Sequence, residues 1–276
     1  MPPGGARMTD EKGHRAGLLN RATLIDRQKV SRNAHILDFE IDGTAETPGP
    51  GQFYHVDCGG GREHLLRRPL GVHGMTVTEK GAARVRFMVE VVGWGTARLC
   101  ALEQGAQVGM MGPLGRGFAR VDGARAMLVS GGIGVAPIFY LASEMDKEGS
   151  DYDLLAGFRT GDEYYPALSD LKGSIEVFTE DGNVGMKGMV SEGAVPLIGN
   201  KDYSAVFACG PEAMMEAVAD ACERSGIGCQ VSLTSRMACG LGFCRSCVKE
   251  GRGGRNLCVC TEGPVFDSRD VKWKES

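Results

Sequence analysis

The stretch MACGLGFCRSC (237–247) places three cysteines within nine residues, and no other feature limits the fold of this chain so sharply. Cys239, Cys244 and Cys247 stand at C-x4-C-x2-C, the spacing of plant-type [2Fe–2S] sites that a distant fourth cysteine completes. Two irons bridged by sulfide need four thiolates wrapped around a small rhomb. Gly240 and Gly242 let the loop bend over the sulfides and turn N–H groups toward them. Zinc more usually takes paired C-x2-C knuckles, and only Cys244 and Cys247 form one here. The fourth ligand is Cys258 or Cys260, both in NLCVCTEGPVF. In an extended stretch alternate residues share a face, so spacing leaves the choice open.

The chain has ten cysteines, and its first residues, MPPGGARMTDEKGHRAG, contain no apolar core of a secretory signal. In a reducing compartment clustered thiols bind metal more often than they pair, so the expectation is a cytoplasmic chain without disulfides. Cys58, Cys100, Cys209, Cys222 and Cys229 sit singly in apolar surroundings and read as small buried side chains. A formal charge of −4 gives no reason to expect a nucleic-acid or anionic-membrane partner. The longest apolar run, AMLVSGGIGVAPIFYLA, is cut by Gly131, Gly132, Gly134 and Pro137, which suits strand, turn and helix better than a membrane span.

Upstream of the cysteines the chain reads as two further units, so the expected class is multi-domain, α/β plus β. Residues 17–122 are strand-rich: in ARVRFMVEVVG, Val85, Phe87, Val89 and Val91 alternate with Arg84, Arg86 and Glu90. AHILDFEI, GQFYHVDC and HLLRRPLGV read as further short strands of an antiparallel β-barrel, with a helix through TARLCALEQ. Residues 123–228 switch to strand–helix alternation. RAMLVS, YDLLAGFR, SIEVFTE and SAVFACG are buried strands, and helices follow the first and last, which predicts a doubly wound parallel α/β sheet. Residues 229–276 form a small C-terminal cysteine domain.

Candidate ligand-binding positions fall at the turns. Gly131, Gly132 and Gly134 lie where a buried strand opens into a helix, so backbone N–H groups and the helix dipole can meet a pyrophosphate. Cys209, Gly210 and Pro211 follow the last strand, at the edge where open α/β sheets bind ligands. In the barrel, Arg67 and Arg68 precede Pro69, while Gly93, Gly95 and Thr96 open a helix and GPLGRGF adds a turn. Each alone is equally readable as a turn or a solvated arginine. Together they are compatible with a flavin diphosphate site on the barrel.

The order RRPL, GWGT, GPLGRGF, GGIGVAP, ACGP resembles the ferredoxin–NADP reductase superfamily. The C-terminal CGLGFCRSC…CTEGPVF narrows the resemblance to the electron-transfer subunits of class 1B dihydroorotate dehydrogenase, over about Gly17 to Phe266. That resemblance implies FAD on the barrel, NAD on the α/β unit and a [2Fe–2S] cluster in the C-terminal domain. It implies a catalytic FMN dihydroorotate dehydrogenase subunit as partner, in a heterotetramer of two of each chain. Electrons would pass from dihydroorotate to FMN, through the cluster to FAD and on to NAD⁺, in pyrimidine (UMP) biosynthesis. Carried over to this chain, Arg68, Pro69, Leu70 and Gly71 would contact the flavin, and Gly93, Gly95 and Thr96 would hold its diphosphate. Gly131, Gly132, Gly134, Gly210 and Pro211 would face the nicotinamide nucleotide, with Cys209 at the hydride-transfer position. Cys260 would be the fourth cluster ligand, with Cys258 as a spare. Where the family usually has serine after RRP-aliphatic, this chain has Gly71, so the flavin's surroundings depart from the pattern. Asp162 and Glu163 beside Arg159 favour NAD over NADP. The alternative reading is a transhydrogenase-like or sulfide dehydrogenase-like FAD/[2Fe–2S] subunit serving a different partner. No general base is evident for carbon–hydrogen chemistry, which would belong to the partner; the expected docking surface is the cluster loop GLGFCRS.

Overall fold

The computed structural model describes residues 19–41, 46–59, 61, 64–79, 81–121, 125–200 and 202–273. The expected starts and ends of units at residues 17, 122–123 and 276 lie outside these described residues.

Six antiparallel strands close a barrel: β1 (Leu19–Lys29), β2 (Ala34–Ile41), β3 (Phe53–Val56), β4 (Arg68–Val77), β5 (Ala83–Glu90) and β6 (Gln107–Leu114), in the order β1-β2-β5-β4-β3-β6. Alternation makes the wall. On β5, Val85, Phe87 and Val89 are buried, while Arg86 turns outward to a two-pronged pair with Asp38 on β2 at 2.7 and 2.8 Å. The inward faces bring Phe39 and Tyr54 edge-on to Phe87, with ring centroids 6.2 and 5.8 Å away. Helix α1 (Trp94–Cys100) begins two residues earlier and ends four earlier than TARLCALEQ predicts. β4 begins at Arg68, not His64, and runs on to Val77.

The second layer system is β7 (Arg125–Gly131), α2 (Val135–Glu148), β8 (Asp151–Phe158), β9 (Ser174–Thr179), β10 (Met186–Lys187), α3 (Val190–Asn200), β11 (Ala205–Cys209), α4 (Glu212–Ser225) and β12 (Gly228–Ser232). Its strands lie in the order β10-β9-β8-β7-β11-β12, all parallel, so the direction of winding reverses between β7 and β11. That point is the switch at which such sheets bind ligands. The sheet does not stop at residue 228: β12 runs across it. After the hairpin β13 (Val248–Glu250) and β14 (Asn256–Cys258), β15 (Val265–Asp267) adds antiparallel to β12.

The units share cores. Buried side chains of α4 and β12 pack in one cluster with Cys247, Leu257, Val259, Phe266 and Trp273. The turn at Gly115–Arg116, at the end of GPLGRGF's strand, seats the C-terminal GPVF turn: Arg116 N–H donates to Gly263 O at 2.5 Å and Val265 N–H to Arg116 O at 3.4 Å. Barrel and α/β sheet are joined through α2. Buried His73 on β4 meets Ala136 O through Nδ1 and Tyr165 Oη through Nε2, each at 3.0 Å, and stacks on Phe139 with centroids 4.6 Å apart.

Candidate functional site

The cysteines form two groups. Cys239 Sγ accepts N–H bonds from Leu241 at 3.3 Å and Cys244 at 3.4 Å, so the loop folds around its own sulfur. Cys244 Sγ lies 3.1 Å from Ser246 Oγ, and the bonds from this residue bring the exposed Cys244 thiol down to about 6. The second group is buried: the sulfurs of Cys247, Cys258 and Cys260 lie within 4.8 Å of one another. Gly242 N–H donates to Cys260 Sγ at 3.2 Å, which ties that sulfur to the loop. Burial pushes the Cys260 thiol up to about 12, so a thiolate there requires a cation beside it. A pair at the mouth and a group behind, with N–H groups aimed at sulfur, fit a two-iron cluster better than a single zinc ion. The strand expected through Cys260 ends at Cys258, and a tight turn from Cys258 to Glu262 still brings both sulfurs to one side.

At the switch point, Ser130 and Cys209 are register partners on β7 and β11, so the two Gly-rich turns that follow are neighbours. Their closeness explains the glycines. A Cβ on Gly134 would lie 2.2 Å from Cys209 O, and one on Gly131 would lie 2.7 Å from Pro211 Cδ. Gly132 opens onto free space at the entry to α2, a fourteen-residue helix whose start can face phosphate. Cys209 is buried and its thiol is pushed up to about 12 by that burial, so it is a neutral thiol, not a nucleophilic thiolate. Ser130 Oγ is buried without a partner at the same strand end.

On the barrel, β4 pairs with β3 so that Pro69 faces His55 and Gly71 faces Phe53. Leu70 turns its side chain into the barrel core, so only its backbone is available to a ligand. Gly71 is exposed with nothing near its missing Cβ, and Gly93 is equally open. Arg68 lies across the start of α1: a Cβ on Gly95 would sit 2.5 Å from its Nε. Thr96 Oγ1 is spent locally, accepting N–H bonds from Val92 at 3.0 Å and Gly93 at 3.2 Å. Arg68 thus sets its guanidinium against the first turn of α1, beside the open Gly93.

Two features escape the sequence reading. His55 is only 1% exposed and neither ring nitrogen has a partner. It stands between β4 and the cluster loop, 3.0 Å from where a Cβ of Gly240 would be, and burial lowers it to about 4. Unpaired buried nitrogens beside an open, glycine-lined strand fit a flavin or an ordered water there. His64 stacks on Trp94, the first residue of α1, with centroids 3.7 Å apart. The outward position of His55 in FYHV follows from strand alternation, but nothing local marks its neighbour.

The family described as the iron–sulfur cluster binding domain of dihydroorotate dehydrogenase B matches residues 234–272. The electron transfer subunit of dihydroorotate dehydrogenase B (NAD(+)) from Fusobacterium nucleatum is 33% identical over 91% of this chain and 97% of its own. The subunit of that name from Desulforamulus reducens is 35% identical over 89% and 95%. Among solved structures, the NADH-dependent reduced ferredoxin–NADP oxidoreductase described for flavin-based electron bifurcation superposes with a TM-score of 0.79 at 26% identity, covering 91% of this chain and 90% of its own. The ferredoxin reductase of carbazole 1,9a-dioxygenase, at 17% identity and a TM-score of 0.62, covers 76% of this chain and 66% of its own and shares the fold. With its barrel, its switch-point crevice and its cysteine loop, the chain belongs to the family of dihydroorotate dehydrogenase B electron transfer subunits.

Proposed function

We propose that this chain carries electrons from an FMN-containing, dihydroorotate-oxidising partner to NAD⁺, in pyrimidine (UMP) biosynthesis. The observation that carries the reading is the position of β4. At one side, through His55 on β3, it borders the cluster loop; at the other, His73 reaches Ala136 O in the first turn of α2, next to the nucleotide turn. A flavin on Arg68–Gly71 would thus lie between the other two sites. When bound, the flavin exchanges electrons singly or in pairs, the cluster singly, and NAD⁺ as hydride.

The residues divide the work by position. Cys239, Cys244, Cys247 and Cys260 hold the cluster. Arg68, Pro69 and Gly71, with the backbone of Leu70, bind the flavin beside Gly93, Gly95 and Thr96. Gly131, Gly132, Gly134, Gly210 and Pro211 shape the nicotinamide crevice, where Cys209 offers a neutral thiol at the reacting ring. His73, held neutral by burial that lowers it to about 4, fixes α2 against β4 without adding charge. We assign FAD to residues 17–122, NAD to 123–228 with its sheet continued by β12, and the cluster to 229–276. Phe243, 85% exposed on the cluster loop, with Leu241 beside it, is the docking surface for the partner, in a heterotetramer of two of each chain. No described helix is long and apolar enough to cross a membrane, and the ten free cysteines suit a cytoplasmic setting.

The test is reconstitution. Adding the purified holo-chain to an FMN dihydroorotate dehydrogenase subunit should make dihydroorotate-dependent NADH formation appear and yield a stable complex. Equal rates without the chain would overturn the reading. A preference for ferredoxin as donor would favour the transhydrogenase-like alternative.

A further inference from the structure

A [2Fe–2S] cluster uses four thiolates, and this chain presents five sulfurs at the site. Cys258 Sγ lies 3.8 Å from Cys247 Sγ and 3.8 Å from Cys260 Sγ. Two thiolates on one tetrahedral metal, each about 2.3 Å from it, are about 3.8 Å apart. Cys258 is therefore spaced from either neighbour as a second ligand on the same metal would be.

Its position is also fixed. Cys258 N–H donates to Glu262 Oε2 at 2.7 Å, and its carbonyl accepts from Thr261 N–H at 3.2 Å and Glu262 N–H at 2.8 Å. Leu257 and Val259 on either side are fully buried, and Cys258 itself is 2% exposed. The cluster loop distinguishes Cys260 from it, donating Gly242 N–H to Cys260 Sγ at 3.2 Å. That bond favours Cys260 as the resident ligand and leaves the Cys258 sulfur 3.8 Å away.

We propose that Cys258 is a reserve ligand for the inner iron, able to replace Cys260 beside Cys247. The inference rests on the reading that Cys239, Cys244, Cys247 and Cys260 are the resident set. In the exchange the iron–sulfur bond to Cys260 breaks and one to Cys258 forms. Cys258 gives up its proton and the released Cys260 thiolate takes one, so no electron moves.

The test measures iron, acid-labile sulfide and the electron paramagnetic resonance signal of the reduced, anaerobically purified full chain, with FAD content reporting a folded barrel. Cys260→Ala should keep two irons and two sulfides per chain with an altered signal, and Cys258→Ala should keep the wild-type signal. The double variant should hold no cluster. Equal loss in Cys260→Ala and in the double variant would overturn the reserve role. If alanine at 260 yields no FAD-containing protein, Cys260→Ser is the background: cluster content that drops on adding Cys258→Ala supports the proposal, and content that does not drop overturns it. An intact cluster in Cys239→Ala would instead fault the resident set. Loss in Cys258→Ala with retention in Cys260→Ala would overturn both.

Discussion

Replacing Gly95 with alanine should weaken FAD binding while leaving the fold as stable as before. The new Cβ would lie 2.5 Å from Arg68 Nε, 2.8 Å from Cζ and 2.9 Å from Nη2, against an ordinary contact of 3.4–4 Å. The guanidinium must retreat by about 1 Å, and it can, because it ends a flexible side chain. Its present seat includes the bond from Nη1 to Leu66 O. Losing one charge-assisted bond to the flavin diphosphate costs about 1.5–3 kcal/mol, or roughly 10- to 150-fold in Kd. Gly95 lies in the first turn of α1, where alanine is no worse a helix residue than glycine, so Tm should hold. Fluorescence titration of the deflavinated chain with FAD gives Kd, and thermal melting gives Tm. Unchanged Kd would refute the role of Arg68, and a Kd that weakens only in step with Tm would refute the local mechanism.

Gly134→Ala should act in the opposite manner: its Cβ would meet the Cys209 carbonyl oxygen at 2.2 Å, backbone that cannot yield, so a loss of about 2–3 kcal/mol and of several degrees in Tm is expected by thermal melting. His73, lowered from its ordinary 6.5 to about 4 chiefly by burial, refuses a proton that the unfolded chain accepts below pH 6.5. Stability should therefore fall by roughly 3 kcal/mol as pH drops from 6.5 to 4, and urea unfolding should show that part of the slope removed in His73→Gln. Phe243→Asp, on an exposed position, should leave Tm and cluster content unchanged and weaken binding to the catalytic subunit at least tenfold, measured by calorimetric titration.

The cysteine loop was the most legible part of the chain, because metal chemistry dictates ligand type and spacing whatever surrounds them. Strands such as β5 were legible through alternation, and α2 and α4 through the glycine or proline turns that open them. Helix α3 was not: VSEGAVPLIGN holds Pro196 and two glycines, and it is held by packing of Val190, Ala194 and Ile198, not by propensity. Nor does a local pattern reveal that β15 crosses back to β12 and binds the C-terminal unit to the nucleotide sheet. The turn in GPLGRGF seats the C-terminal GPVF turn, a contact between Arg116 and Gly263 that spans 147 residues of sequence and that no local pattern marks. His55 shows the same limit, since its significance lies in the loop packed against it. Leu70, too, could be placed on β4 by motif, but only the closed barrel decides that its side chain points inward.

The most direct test of the central claim is an anaerobic titration of the holo-chain with NADH, followed by visible absorption. A chain that connects NAD to both FAD and a [2Fe–2S] cluster takes up three electrons, so bleaching of both signatures should finish at about 1.5 equivalents of NADH per chain. An end point at one equivalent with the cluster still oxidised, or no bleaching, would contradict the account.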